Sequence, residues 1–137
     1  MADAILGLHN AMVPLILVAA GLALIAGLVT FFLSRGAPSD AAGLSGTAAT
    51  AARVFRGLLV VTAGLGVLQA IFGLLLLTQG RRPAEGLHFV YGIIVLAAIP
   101  VAYVYSDQKQ VRRDILILTI AAVAVVGAAF RALATSR

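Results

Sequence analysis

The sequence predicts an all-α integral membrane protein, an antiparallel bundle of four transmembrane helices in one domain spanning residues 1–137. Three observations predict it. The first is composition: 62% of residues are hydrophobic, 11% are charged, and the mean hydropathy is +1.10. A soluble domain carries roughly a quarter charged residues. The second is that the apolar residues gather into four uncharged runs, at 11–33, 57–78, 87–105 and 115–130. A hydrocarbon core about 30 Å thick needs around 20 helical residues. The third is that no run alternates polar with apolar residues, as a transmembrane barrel would. Backbone polar groups in lipid must then bond within their own segment, which leaves helices.

The expected helices are 5–34, 54–79, 86–106 and 113–134. The first three contain runs of spanning length. The fourth run is shorter and is completed by Ala132 and Leu133 if Arg131 snorkels to the interface. The stretch from Gly36-Ala37-Pro38-Ser39-Asp40 to Ala48-Ala49-Thr50 is small and polar and reads as a flexible connector. The segment Gln79-Gly80-Arg81-Arg82-Pro83-Ala84-Glu85-Gly86 reads as a tight turn. Gly80 suits a helix C-cap, and Pro83 stops either helix from running through. Connections this short make consecutive helices antiparallel neighbours. Pro14 and Pro100 lie inside the first and third helices, where they are expected to introduce kinks.

Charge gives orientation. Arg35, Arg53, Arg56, Lys109, Arg112 and Arg113 lie on one side, and Arg81, Arg82, Arg131 and Arg137 on the other. This modest bias places both termini outside, N-out and C-out. The opening Met1-Ala2-Asp3-Ala4 carries an acid and no base, which argues against a cleaved signal peptide. The net charge of +5 sits in short loops, so it reads as a topology signal rather than a nucleic-acid footprint. The expected setting is the cytoplasmic membrane of a bacterium or archaeon. With no cysteine, disulfides, thiolate metal sites and thiol catalysis are excluded.

The chain has two histidines. His9 lies about one turn inside the first helix, and His88 lies in the first turn of the third. Those helices run the same way and stand across the bundle diagonal, so both imidazoles fall at similar depth on the outer side. Two imidazoles facing across a bundle suit the axial positions of a low-spin b-type haem. Gly92, one turn below His88, would let a porphyrin face approach. Tyr91 and Phe89 would pack beside the ring, and Arg81, Arg82 and Arg131 would meet its propionates. The same placement also suits two amphipathic side chains at headgroup level. One length mismatch stands against the pair. His9 is 24 residues from Leu33 and His88 only 17 from Tyr105, a difference of roughly 10 Å. The first helix must therefore tilt or project for the rings to meet. Gln69, at mid-depth in the second helix, reads first as an interhelical hydrogen-bonding residue and second as a cofactor contact. Gly64, Gly66, Ala70 and Gly73 on that helix allow close backbone approach.

The pattern Leu68-Gln69-x-x-x-Gly73-x-x-x-x-Thr78-x-x-x-x-Pro83-x-x-x-x-His88-x-x-x-Gly92 resembles a stretch of the haem A synthase family. So does Gly127-x-x-x-Arg131-x-x-x-Thr135. His9 matches the first histidine of one of that family's four-helix halves. The resemblance implies a single half-unit that binds one b-haem between His9 and His88. It does not imply the family's oxidation of haem O. The catalytic half carries a glutamate one turn before its first histidine and an arginine directly after it, where this chain has Leu6 and Asn10. The outer-loop cysteine pair of many members is missing as well.

Two functional classes follow. One is a small b-type cytochrome, with His9 and His88 as metal ligands and haem b as cofactor, serving electron transfer or haem handling. The other is a cofactor-free accessory subunit of a larger membrane complex. In either case the expected partners are the lipid bilayer and either a larger complex or further copies of the chain, with no nucleic acid. No carboxylate lies within an apolar run, so no intramembrane acid–base pair is expected and enzyme activity is not favoured.

Overall fold

A computed structural model describes residues 1–36, 44, 46–83, 85–106 and 110–135. The described residues form four helices and no strand: α1 (Ala2–Leu33), α2 (Gly46–Thr78), α3 (Leu87–Tyr105) and α4 (Val111–Ala134). Each is long and apolar enough to cross a membrane. Leu, Ala, Ile and Val dominate all four. Their length and hydrophobicity leave the backbone no better way to satisfy its polar groups in lipid than i to i−4 hydrogen bonding.

The helix ends show local causes. Asp3 stands in the first turn of α1, where a carboxylate complements the helix dipole. At the far end the Ser34 backbone N–H donates to the Thr30 carbonyl, and its hydroxyl donates to Phe31. α2 stops at a Schellman arrangement. The Arg81 N–H reaches the Leu76 carbonyl, the Gly80 N–H reaches Leu77, and Gly80 takes φ +77°. The C-cap role expected of Gly80 is present, and Ala84 of the expected turn lies outside the described residues.

The expected connector needs correction. Gly46–Thr50, read as loop, belongs to α2, which begins well ahead of the expected start at residue 54. Gly46 takes φ +55° and turns the chain into the helix. The alanines at 48, 49, 51 and 52 then favour helix, because they lose no side-chain entropy on forming it. The remainder of the connector, residues 37–43 and 45, lies outside the described residues.

Contacts define how the helices run. Asp3 of α1 pairs with Arg81 just past α2, and Gly27 of α1 touches Phe55 near the start of α2, so these two are antiparallel. Gly27 also touches Thr119, and Arg112 at the start of α4 lies over Phe31 at the end of α1. α4 is therefore antiparallel to α1 too. The ends carrying Asp3, Gly80 and His88 form what is called here the upper end. α1 packs extensively on α2 and α4, α3 packs chiefly on α4, and α2 meets α3 over a smaller stretch.

The core is built from Ile16, Ala20 and Ala23 of α1, Phe55 and Leu59 of α2, Val95 and Ile99 of α3, and Leu118, Ala122 and Val125 of α4. Two glycines mark the closest approaches. A Cβ on Gly27 would stand 2.6 Å from Thr119 Oγ1 and 2.9 Å from Phe55 Cε2. A Cβ on Gly66 would stand 3.2 Å from the Val95 carbonyl oxygen. Small residues at such points let backbones approach where the hydrophobic effect gives no drive to associate. The buried hydroxyls of Thr30, Thr62 and Thr119 donate to carbonyls four residues earlier in their own helices, so none is left unpaired.

Candidate cofactor site

α2 and α3 touch at Gly66 and Val95 but leave a gap toward the upper end. There a Cβ on Gly92 would meet nothing within 4 Å, and one on Gly73 would meet only the His9 ring. The gap is the mouth of a cavity of about 560 Å³ reaching inward to α1 and α4. Its walls are mostly apolar, with Leu6 and Val13 from α1, Leu74 and Leu77 from α2, Phe89 and Leu96 from α3, and Ala129 and Ala132 from α4. Few polar groups face it, and they come from different helices.

His9 and His88 are the central pair. Their ring centroids lie 6.1 Å apart with the planes tilted by 48°. The length mismatch does not keep them apart. α1 starts at Ala2, ahead of the expected start, so His9 lies about two turns inside it. At its other end α1 lies beside the start of α4, where the Arg112 guanidinium is 4.9 Å from the Phe31 ring centroid.

Gln69 reaches across from α2, with its amide nitrogen 3.2 Å from His9 Nε2. The interhelical hydrogen bond expected of this residue is therefore present, and its partner is one of the candidate ligands. Three buried polar atoms in the same cavity have no hydrogen-bond partner: His9 Nδ1, His88 Nδ1 and Gln69 Oε1. Unpaired buried polar atoms are rare and each costs about 1–3 kcal/mol. All three belong to residues that line the one cavity.

The spacing and chemistry fit a metal held between two imidazoles. Two metal–imidazole bonds of about 2.0–2.1 Å, with a ring radius at either end, span roughly 6.4 Å between centroids. Gly92 presents no side chain to the gap, so a flat ring system would find room beside it. No group of three or more His, Cys, Asp and Glu side chains suited to a metal ion occurs among the described residues. A ligand that brings its own equatorial donors therefore suits this pair better than a bare ion does.

The other expected residues divide. Gly92, Arg81 and Arg82 line the cavity with Gln69 and the histidines. Arg81 is also bound to Asp3 at 2.5 Å, which ties the α2–α3 turn to the start of α1. Arg82 is exposed at the rim. Tyr91 and Arg131 are not brought to the cavity. The Arg131 guanidinium lies 5.8 Å from the Tyr91 ring centroid, on the face that α3 shares with α4. Depth along a helix places both at the upper end, but rotation about the helix axis turns them away from the histidines.

Sequence reasoning missed the packing role of Gly73 under His9, the Asp3–Arg81 pair and the burial of Asp114. Asp114, in the first turn of α4, is 1% exposed, and neither carboxylate oxygen has a hydrogen-bond partner. Arg113 Nε lies 3.9 Å from its Oδ1. Leu6 and Asn10, where the resembled family has its glutamate and arginine, both face the cavity. Comparisons with protein-family models, with curated proteins and with solved structures found no match, so the resemblance to haem A synthases rests on the quoted residues alone.

Proposed function

We propose that this chain is a small membrane b-type cytochrome in which His9 and His88 hold one haem b, for electron transfer or haem handling. One observation carries the reading. The only two histidines of the sequence stand with their ring centroids 6.1 Å apart across the helices, and both line the same largely apolar cavity. Haem would supply one-electron redox chemistry. His9 and His88 would hold it through their imidazole nitrogens, the apolar walls would border it, and Arg81 and Arg82 would offer guanidinium forks suited to its carboxylates. In this reading the four helices form a transmembrane bundle with both termini outside, which puts the site in the outer half of the membrane.

The competing reading is a cofactor-free accessory subunit. It has the His9–Gln69 hydrogen bond in its favour, since that bond partly satisfies two polar groups without any ligand. Substitution of the histidines separates the two. His9→Ala and His88→Ala should each lower the haem-to-protein ratio of the purified protein from near one to a small fraction, with normal accumulation in the membrane. Equal haem content in wild type and both variants would remove the histidines from the site.

A further inference from the structure

Gln69 does more than bridge α1 and α2. Its amide nitrogen can only donate, so the 3.2 Å contact with His9 Nε2 requires a lone pair on that ring nitrogen. The ring proton then resides on Nδ1. A metal bound at Nε2 takes the same lone pair, in the same tautomer. Gln69 also has little else to hold it, because its Oε1 makes no hydrogen bond. Gly73, one turn along α2, also borders the ring. A Cβ there would stand 3.4 Å from His9 Cε1, in ordinary van der Waals contact, so a side chain reaching beyond Cβ would crowd the imidazole.

We infer that Gln69 is a positioning residue of the haem site: it holds His9 in the Nδ1–H tautomer with the Nε2 lone pair presented, and yields that nitrogen to the iron on loading. The inference rests on the cytochrome reading and adds to it a tautomer and an exchange of partners. It also sets a sign. A hydrogen bond made in the haem-free protein and given up on loading weakens haem binding, so removing it should strengthen binding.

The test uses haem-free full-length protein in detergent, with hemin as the probe. In wild type with ¹⁵N-labelled histidine, His9 should show a protonated Nδ1 and an unprotonated Nε2. In Gln69→Leu that preference should relax to a mixture. Hemin titration should show Gln69→Leu binding roughly fivefold tighter than wild type, about what the loss of one neutral hydrogen bond amounts to. The low-spin spectrum should be unchanged. Gln69→Asn keeps the amide but is one carbon too short to reach, and should behave the same way if the leucine variant folds poorly. A protonated Nε2 on wild-type His9 overturns the inference. So does weaker hemin binding in both variants, which marks Gln69 as a purely structural bridge. If wild type itself takes up no hemin, the cytochrome reading falls and the inference with it. Uptake by wild type with weakened variants removes the inference alone.

Discussion

At the scale of single residues, Gly73 and Asp114 make sharp predictions. Gly73 stands against the His9 ring, so Gly73→Leu should push the imidazole out of line with His88. Haem content measured on the purified variant should drop severalfold while the helical circular dichroism stays as in wild type. Asp114 is buried at the start of α4 with neither oxygen hydrogen-bonded and only a 3.9 Å contact from Oδ1 to Arg113 Nε. Its favourable position near the helix N-terminus offsets only part of the cost of desolvating a carboxylate. Asp114→Asn keeps the shape and removes the charge, and should stabilise the protein by about 1–2 kcal/mol. A thermal melt in detergent checks this, and a lower midpoint would show that the charge is needed. Asp114 was not legible in the sequence because an acid beside two arginines in a short turn reads as a solvated interfacial group. Only the packing of α4 against its neighbours shows it enclosed. The histidine pair was legible, because depth along two parallel helices follows from counting residues.

At the scale of elements, the number of helices was legible and their rotations were not. Lipid demands long uncharged helices, and the four runs satisfy that demand openly. Such helices are apolar nearly all round, so no amphipathic stripe says which face turns inward. Gly92 and Gln69 were therefore placed with the histidines on the same footing as Tyr91 and Arg131, and only the first two face the cavity. The early start of α2 was missed for a different reason. Small residues such as those at 46–50 serve equally well in a linker or a first helical turn. Packing between elements is tightest where α1 is held between Phe55 of α2 and Thr119 of α4. Gly27→Ala should force those helices apart and cost about 1–3 kcal/mol, seen as a lower thermal midpoint. The Asp3–Arg81 pair also joins elements, but both side chains are largely exposed. Asp3→Asn should therefore change stability by less than about 1 kcal/mol.

At the scale of the whole molecule, an apolar exterior encloses a cavity with polar groups at the upper end and the buried Asp114 carboxylate at the other end. The exposed faces of α2 and α3 carry Val60, Val61, Ile71, Leu74, Ile93 and Val104, which suit hydrocarbon or a partner's helices. Orientation is open to a clean test, because the chain contains no cysteine. A single cysteine at Asp3 or Gln79 should react with an impermeant maleimide added outside intact cells, and one at Gln110 should react only after permeabilisation. The reverse pattern would turn the molecule over and place the histidines in the inner half. The central claim is that His9 and His88 hold one haem between them. An optical spectrum of the detergent-purified protein, oxidised and then reduced with dithionite, tests it most directly. The account predicts a sharp Soret band and resolved α and β bands on reduction, the signature of six-coordinate low-spin iron. A featureless visible spectrum from protein made with ample haem would contradict it, and would leave the two histidines as a polar contact within an accessory membrane subunit.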